Sequence, residues 1–304
     1  MTKVDSTCVQ SSSHGSLDFL WLELTNRCNL QCKHCYAESG PEKATTGALS
    51  CEEYKDIIEQ ACDVGCRELQ FIGGEPTLNT DLEQLIGFAC SMGISVEIYT
   101  NLTRMPTSLI GCILAADARV ATSIYAAKPE IHDEITGVRG SFARTISNLQ
   151  KLVAAGVETR VSVIEMEENT SGIAETVEML KGLGIENIGV DHVRPFGRGL
   201  AHVDGPELAG LCGACAENVL CIGPSGVVTP CIMSKAWTVG SIRSQKLTDI
   251  CQSDDLFELR QRISEETSAR RPVAYCKPKA CAPINCMPNG SSGCRPNTGR
   301  RINN

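Results

Sequence analysis

The chain has 304 residues, is 42% apolar, and carries a net charge of -8 with a pI near 5.3. That length and apolar content suffice for one large buried core and a smaller appended unit. An acidic chain with no basic stripe excludes a nucleic-acid partner, and no stretch reaches the roughly 18 apolar residues of a membrane span, which excludes a membrane partner.

Residues 1–16 are polar and rich in Ser, without the basic and apolar regions of a secretory signal, and read as a disordered lead-in to a cytoplasmic protein. Over residues 17–200, short apolar runs alternate with longer amphipathic stretches, the signature of βα units around a parallel sheet. Strands are expected at Leu20–Leu24, Glu68–Ile72, Ser95–Thr100, Val120–Ile124, Thr159–Ile164 and Asn187–Val193. Ser50-Cys51-Glu52-Glu53 and Thr80-Asp81-Leu82-Glu83 each spell a capping box, and Ser141 after Gly140 starts a helix through Leu152. Six strands are too few to close an eight-stranded barrel. The expected fold is α/β, an open partial (β/α)6 barrel with its chemistry at the C-terminal strand ends. Residues 197–205 read as a linker, and 205–304 as a small, Cys-rich, loop-dominated C-terminal unit.

Eighteen cysteines in a chain of this length without a secretory signal point to metal ligation rather than disulfides. Eight of them, Cys212, Cys215, Cys221, Cys231, Cys276, Cys281, Cys286 and Cys294, crowd the last third, where the apolar periodicity fades. Such a segment has little core of its own and is expected to fold around metal. Cys28, Cys32 and Cys35 follow the first strand as Cys-x3-Cys-x2-Cys, so one loop carries three thiolates. Three ligands leave one iron of a four-iron cluster open to a small molecule. Zinc fits less well, because structural zinc prefers four closed ligands and His34 lies too near Cys32 and Cys35 to complete a tetrahedron.

Together with Gly73-Gly74-Glu75-Pro76 at the end of the second strand, this loop resembles the radical S-adenosylmethionine (SAM) superfamily, and the resemblance extends over most of the chain. It implies a 4Fe-4S cluster on Cys28, Cys32 and Cys35. SAM would chelate the open iron, and an electron would cleave it to a 5′-deoxyadenosyl radical that abstracts hydrogen. It further implies that Gly73, Gly74, Glu75 and Pro76 contact the SAM amino group, with Glu75 accepting from the ammonium. Thr100, Asn101 and Ser123 match polar contacts to the SAM ribose or carboxylate, although ordinary strand-end turns would look the same. Arg194 is a partner for a carboxylate of SAM or substrate, or else a solvated arginine. The family's adenine-binding glycines are not evident in Arg160-Val161-Ser162-Val163.

Gly226-Val227-Val228-Thr229-Pro230-Cys231, preceded by Cys212 and Cys215, resembles the opening of a SPASM domain. That resemblance implies one or two auxiliary 4Fe-4S clusters on the eight tail cysteines, although the spacing Cys276-x4-Cys281-x4-Cys286-x7-Cys294 departs from the family pattern. An electron donor such as flavodoxin or ferredoxin is implied as a partner.

Cys251 lies between Cys231 and Cys276, in the region expected to face the cofactor. A thiol there would return a hydrogen atom to a substrate radical and complete a redox-neutral inversion, as in radical SAM epimerases, which this chain resembles in size and layout. The plainer alternative is packing beside Leu247 and Ile250 on an amphipathic helix. A barrel starting near Leu20 leaves no room for an N-terminal leader-binding domain. This favours a small natural product, such as a sugar or aminoglycoside, over a short peptide, with Glu165, Glu167 and Asp191 as candidates for its amino groups. The expected activity is an epimerase. The alternatives are a peptide maturase forming thioether or carbon–carbon crosslinks, a dehydrogenase, and a non-enzymatic iron–sulfur carrier or sensor.

Overall fold

A computed structural model describes residues 15–200 and 207–268. The six expected strands are present as β1 (Phe19–Glu23), β2 (Glu68–Ile72), β3 (Ser95–Tyr99), β4 (Arg119–Ser123), β5 (Thr159–Glu165) and β6 (Asn187–His192). Between them run α1 (Cys51–Asp63), α2 (Leu82–Ser91), α3 (Thr107–Ala115), α4 (Pro129–Thr136), α5 (Ser141–Ala154) and α6 (Ile173–Gly182). The strands pair in parallel in the order β6-β5-β4-β3-β2-β1, as successive βα units require.

Of the two capping boxes, only the first forms. Ser50 Oγ accepts from Glu53 N at 3.3 Å while Glu53 Oε2 accepts from Ser50 N at 2.7 Å, which fixes the start of α1. At α2 the cap residue is Asp81, without a side-chain cap, and its N–H goes to Asn79 Oδ1 at 2.8 Å rather than to Glu83. Ser141 begins α5 after Gly140 at φ +78°, and its hydroxyl is engaged with Thr136 and Asp133 rather than with its own helix.

Sheet pairing does not stop at residue 200. β7 (Val219–Ile222) lies parallel beside β1, and β8 (Val227–Thr229) and β9 (Gly240–Ser241) follow antiparallel, giving nine strands. The C-terminal unit thus shares the main core rather than depending on metal alone, because Val219, Leu220 and Ile222 bury their side chains there. α7 (Leu247–Cys251) and α8 (Asp254–Thr267) complete the described chain, with Ser253 Oγ capping α8 at Leu256 N. Among the described residues no helix is long and apolar enough to cross a membrane.

A parallel strand buried on both faces reads as a continuous apolar run, as Phe19–Leu22 of β1 does, but β2, β3 and β5 alternate. Leu20, Leu22, Leu69, Phe71, Val96, Ile98, Val161 and Val163 share one core with helix residues Ile57, Leu85, Ile113, Leu149 and Leu180. On the opposite face, register aligns Trp21, Gln70, Glu97 and Arg119 across four strands. Glu97 is held by Arg160, whose Nε and Nη2 donate to its two oxygens at 2.8 and 2.7 Å, and by Gln70. Burial alone would raise the Glu97 pKa, but Arg160 and Arg119 bring it net below the usual carboxylate value. The interior of the open barrel is therefore polar and closed by ion pairs on this level, while the C-terminal strand ends remain open.

Candidate functional site

The cysteine loop leaves β1 and is clamped by distant segments. Gln31 N and Lys33 N donate to the α4 carbonyls of Thr136 and Ile135 at 2.9 and 3.0 Å, and Cys28 N donates to Gly40 O at 3.1 Å. Arg198 braces the other side, with its N–H on Cys35 O at 3.0 Å, Nε on Cys32 O at 2.8 Å and Nη2 on Ser39 O at 2.9 Å. Residues 197–200, expected as linker, form a 3-10 turn that belongs to the site; 201–206 lie outside the described residues. The turn requires Gly197, at φ +55°, because a Cβ there would stand 2.3 Å from the Tyr36 carbonyl oxygen. The Gly-x-Gly around Arg198 was the sequence signal for this close approach.

Cys28, Cys32 and Cys35 all line one cavity, as do Gly73, Gly74, Thr100, Asn101, Ser123 and Arg194. The space between them opens partly to solvent. A Cβ on Gly74 would lie 2.0 Å from the Arg27 carbonyl oxygen, so only glycine lets the β2 end abut the cysteine loop.

Glu75 does not offer its carboxylate to the cavity. Oε1 accepts from Thr77 N, Thr77 Oγ1 and Thr100 Oγ1 at 3.1, 2.7 and 2.6 Å, and Oε2 accepts from Asn101 N at 2.8 Å. Three of these donors converge on Oε1 and one on Oε2, so Glu75 ties the β2 loop to the end of β3. Pro76 starts the adjoining 3-10 turn and is buried. Thr100 and Asn101 are equally committed. Thr100 Oγ1 also accepts from Leu102 N, and the Asn101 amide bonds Thr103, Asn29 and Cys28. These bonds hold the cysteine loop against β3, while both residues also line the cavity.

Ser123 and Arg194 keep the cavity role open to them. Ser123 Oγ pairs with Tyr99 Oη at 2.8 Å. Arg194 is only 8% exposed; its Nη2 sits 3.3 and 3.0 Å from the two Asp191 oxygens, while its Nε has no partner. Asp191 is thereby excluded from binding a substrate amine, since Arg194 and the His192 backbone use its buried carboxylate. Glu165 and Glu167 do not line the cavity.

The three thiols sit in a poorly solvated, negatively biased pocket. Burial first, then the Glu75 charge, pushes the Cys28 thiol up to about 12, against hydrogen bonds from Leu30 and Asn101. Burial and its neighbours Cys35 and Cys28 push Cys32 up to about 12. Metal binding must therefore displace protons here. Among the described residues no three His, Cys, Asp or Glu side chains converge on one point to grip a single ion. Structural zinc needs its donors at about 2.0–2.3 Å from one centre, whereas a cluster takes its thiolates on different irons. Three thiols on one loop, a glycine cradle beside them and three buried polar atoms on cavity residues that lack a partner among the described residues, His34 Nδ1, Tyr36 Oη and Arg194 Nε, fit a 4Fe-4S cluster with a small polar ligand on the open iron.

In the C-terminal unit Cys215 Sγ and Cys231 Sγ are 3.1 Å apart. Hydrogen bonds of the Cys215 S–H to Cys212 and Cys231, then burial, push the Cys215 thiol well up. Cys221 is buried on β7 opposite Thr229, with Glu23 and Lys235 among its neighbours. Met233, two residues past Cys231, reaches the cavity wall. Cys276, Cys281, Cys286 and Cys294 lie outside the described residues.

Cys251 is not in the cavity. Leu247 and Ile250 turn into the core beside α1, where Leu247 N donates to Gln60 Oε1 at 2.8 Å, leaving Cys251 half-buried on the outer side of the sheet. The helical packing alternative describes its surroundings. Tyr125, His132, His192 and Met233, which line the cavity, escaped the sequence reading, because no local pattern marks a residue brought in from a distant strand end or loop.

The described architecture matches known proteins. Residues 22–180 match the Radical SAM superfamily model, and residues 212–282 match SPASM, an iron–sulfur cluster-binding domain. The chain is 31% identical over 179 residues to the antilisterial bacteriocin subtilosin biosynthesis protein AlbA of Bacillus subtilis (strain 168), covering 58% of this chain and 40% of that protein. It is 30% identical over 204 residues to the mycofactocin maturase MftC of Mycobacterium ulcerans (strain Agy99), covering 66% of this chain and 54% of that one. Streptococcus suis SuiB bound to S-adenosylmethionine superimposes with a TM-score of 0.68 at 18% identity, over 81% of this chain and 68% of SuiB, a likeness of fold. The chain spans about half the length of the curated relatives it matches. With the family model covering more than half of its residues, the chain belongs to the radical SAM superfamily, with SAM and 4Fe-4S clusters as its cofactors and a SPASM domain following the partial barrel.

Proposed function

We propose that the chain is a radical SAM enzyme that removes hydrogen from a natural-product peptide held in the cavity and exchanges an electron through its C-terminal cysteine unit. One observation carries this reading: Cys28, Cys32 and Cys35 line the same cavity as Met233, so the loop that follows Cys231 walls the chamber where substrate would react. A peptide is favoured by the relatives, among them a bacteriocin biosynthesis protein and a maturase, and by the neighbour SuiB, which is known bound to a precursor peptide.

When bound, the cluster and SAM supply a carbon radical that abstracts hydrogen. The chain's own residues hold and enclose that chemistry. Cys28, Cys32 and Cys35 would hold three irons; Gly73 and Gly74 make room beside them; Ser123 and Arg194 present polar groups to whatever enters. His34 and Tyr125, stacked edge to face at 5.0 Å, wall the chamber against water. The test is anaerobic iron–sulfur reconstitution followed by reduction with dithionite in the presence of SAM. Formation of 5′-deoxyadenosine, with about eight or twelve irons per chain, supports an enzyme with auxiliary clusters. A chain that binds iron yet forms no 5′-deoxyadenosine is a carrier or sensor, and the proposal fails. With a peptide encoded nearby, loss of two hydrogens marks oxidative maturation.

Epimerisation is the second reading. It requires one solvent-derived deuterium in a product of otherwise unchanged composition. With Cys251 outside the cavity, Cys251→Ala should leave both SAM cleavage and the product unchanged, and loss of inversion in that variant would return Cys251 to the reaction.

A further inference from the structure

Asn101 stands where the end of β3 meets the cysteine loop, and the bonds to its amide fix which atom faces which partner. Its Oδ1 accepts from Thr103 N at 2.9 Å and from Thr103 Oγ1 at 2.6 Å, so that end is the carbonyl. The NH2 end therefore points at the loop, 2.8 Å from Asn29 Oδ1 and 3.7 Å from Cys28 Sγ. Leu30 N donates to the same sulfur at 3.4 Å, so Cys28 receives one donor from the backbone and one from a side chain. Asn101 is immobilised further by Glu75, which accepts from its backbone N–H, and by Thr145, whose hydroxyl donates to its carbonyl. An amide held by this many bonds is preorganised to keep a donor on the sulfur.

We infer that Asn101 is a positioning residue that sets the reduction potential of the cluster on Cys28, Cys32 and Cys35, through its N–H···S hydrogen bond to Cys28. The inference rests on the reading of those three cysteines as cluster ligands. A donor on a ligating sulfur stabilises negative charge there. One-electron reduction makes the cluster more negative, so the donor favours the reduced form and raises the potential. The electron comes from a low-potential donor of the flavodoxin or ferredoxin class, with dithionite standing in for it in vitro. Losing the Asn101 donor leaves less cluster reduced at any given donor potential, and so slows every turnover that begins with that electron.

The test is a redox titration of the anaerobically reconstituted full chain, followed by electron paramagnetic resonance of the reduced signal that changes when SAM is added. Asn101→Asp keeps the acceptor for Thr103 but removes the N–H donors, and it should move that potential to more negative values. Asn101→Leu removes the donor without adding charge and should shift it in the same direction by less. Thr103→Val loosens the far end of the amide but leaves the N–H on the sulfur, and it should leave the potential in place. Equal potentials in all four proteins, with equal iron content, overturn the inference. So does a shift in Thr103→Val as large as that in Asn101→Leu, since a merely structural role predicts it. If the wild-type chain gives no SAM-sensitive signal at all, the ligand reading fails instead, and the two failures are told apart by that spectrum.

Discussion

Replacing Glu75 by Gln separates a structural carboxylate from one that binds the cofactor. Four protein donors converge on the fully buried Glu75, three on Oε1 and the Asn101 N–H on Oε2. The amide oxygen of Gln can take the Oε1 position and keep the bonds from Thr77 and Thr100. Its NH2 then faces the Asn101 N–H, donor against donor. An unmatched buried donor costs about 1–3 kcal/mol, and the remaining bonds weaken by about 1 kcal/mol each as they lose charge assistance. Against this, the fold no longer buries a charge, a burden visible in Glu75, whose pKa burial raises despite its hydrogen bonds. The two larger effects nearly offset, leaving a loss of about 2 kcal/mol, a large fraction of the 5–15 kcal/mol typical of a domain. Urea unfolding of the metal-free protein measures it, and calorimetric titration of SAM into the reconstituted protein measures binding. If stability is unchanged while SAM binds about tenfold more weakly, a loss of about 1.4 kcal/mol, Glu75 touches the cofactor and the reasoning fails.

Gly74→Ala forces a Cβ against the Arg27 carbonyl oxygen, where backbone cannot yield, and should reduce iron incorporated per chain while far-ultraviolet circular dichroism stays native. Arg198→Ala removes the two side-chain hydrogen bonds, to Cys32 O and Ser39 O, that brace the cysteine loop, and should speed iron loss to a chelator by about tenfold, equivalent to about 1.4 kcal/mol. Burial lowers the His132 pKa from 6.5 to about 4, and its Nδ1 accepts from Tyr125 N. Because the folded value lies below the unfolded one, this contribution is present above pH 6.5 and lost as pH falls toward 4, by up to about 3 kcal/mol. His34 is lowered to about 4 as well, chiefly by burial, so His132→Asn should remove roughly half of the acid destabilisation in that window. Breaking the interior ion pair by Arg160→Met leaves buried Glu97 with only Gln70 and the more distant Arg119, and should cost about 3 kcal/mol in urea unfolding, whereas Lys33→Ala on the surface should cost under about 1 kcal/mol.

Sequence alone determined the elements that local pattern encodes. Each of β1 to β6 lies within about a residue of its expected span, because apolar runs bounded by turn residues have few other ways to be buried. The three-cysteine loop was legible because its ligands are adjacent in the chain. The tertiary structure decided what depends on distant partners. Val219–Ile222 joined β1 in the nine-stranded sheet only because an unpaired parallel edge was there to receive it. Glu75, Thr100 and Asn101 were correctly placed at strand ends, yet their hydrogen-bonding capacity is taken up by residues of other loops, which no spacing reveals. Cys251 was read by its position between cysteines, but the burial of Leu247 and Ile250 set the rotation of α7 and carried the thiol away from the cavity. A side chain's identity fixes what chemistry it can do; the packing of its helix or strand fixes where that chemistry is presented.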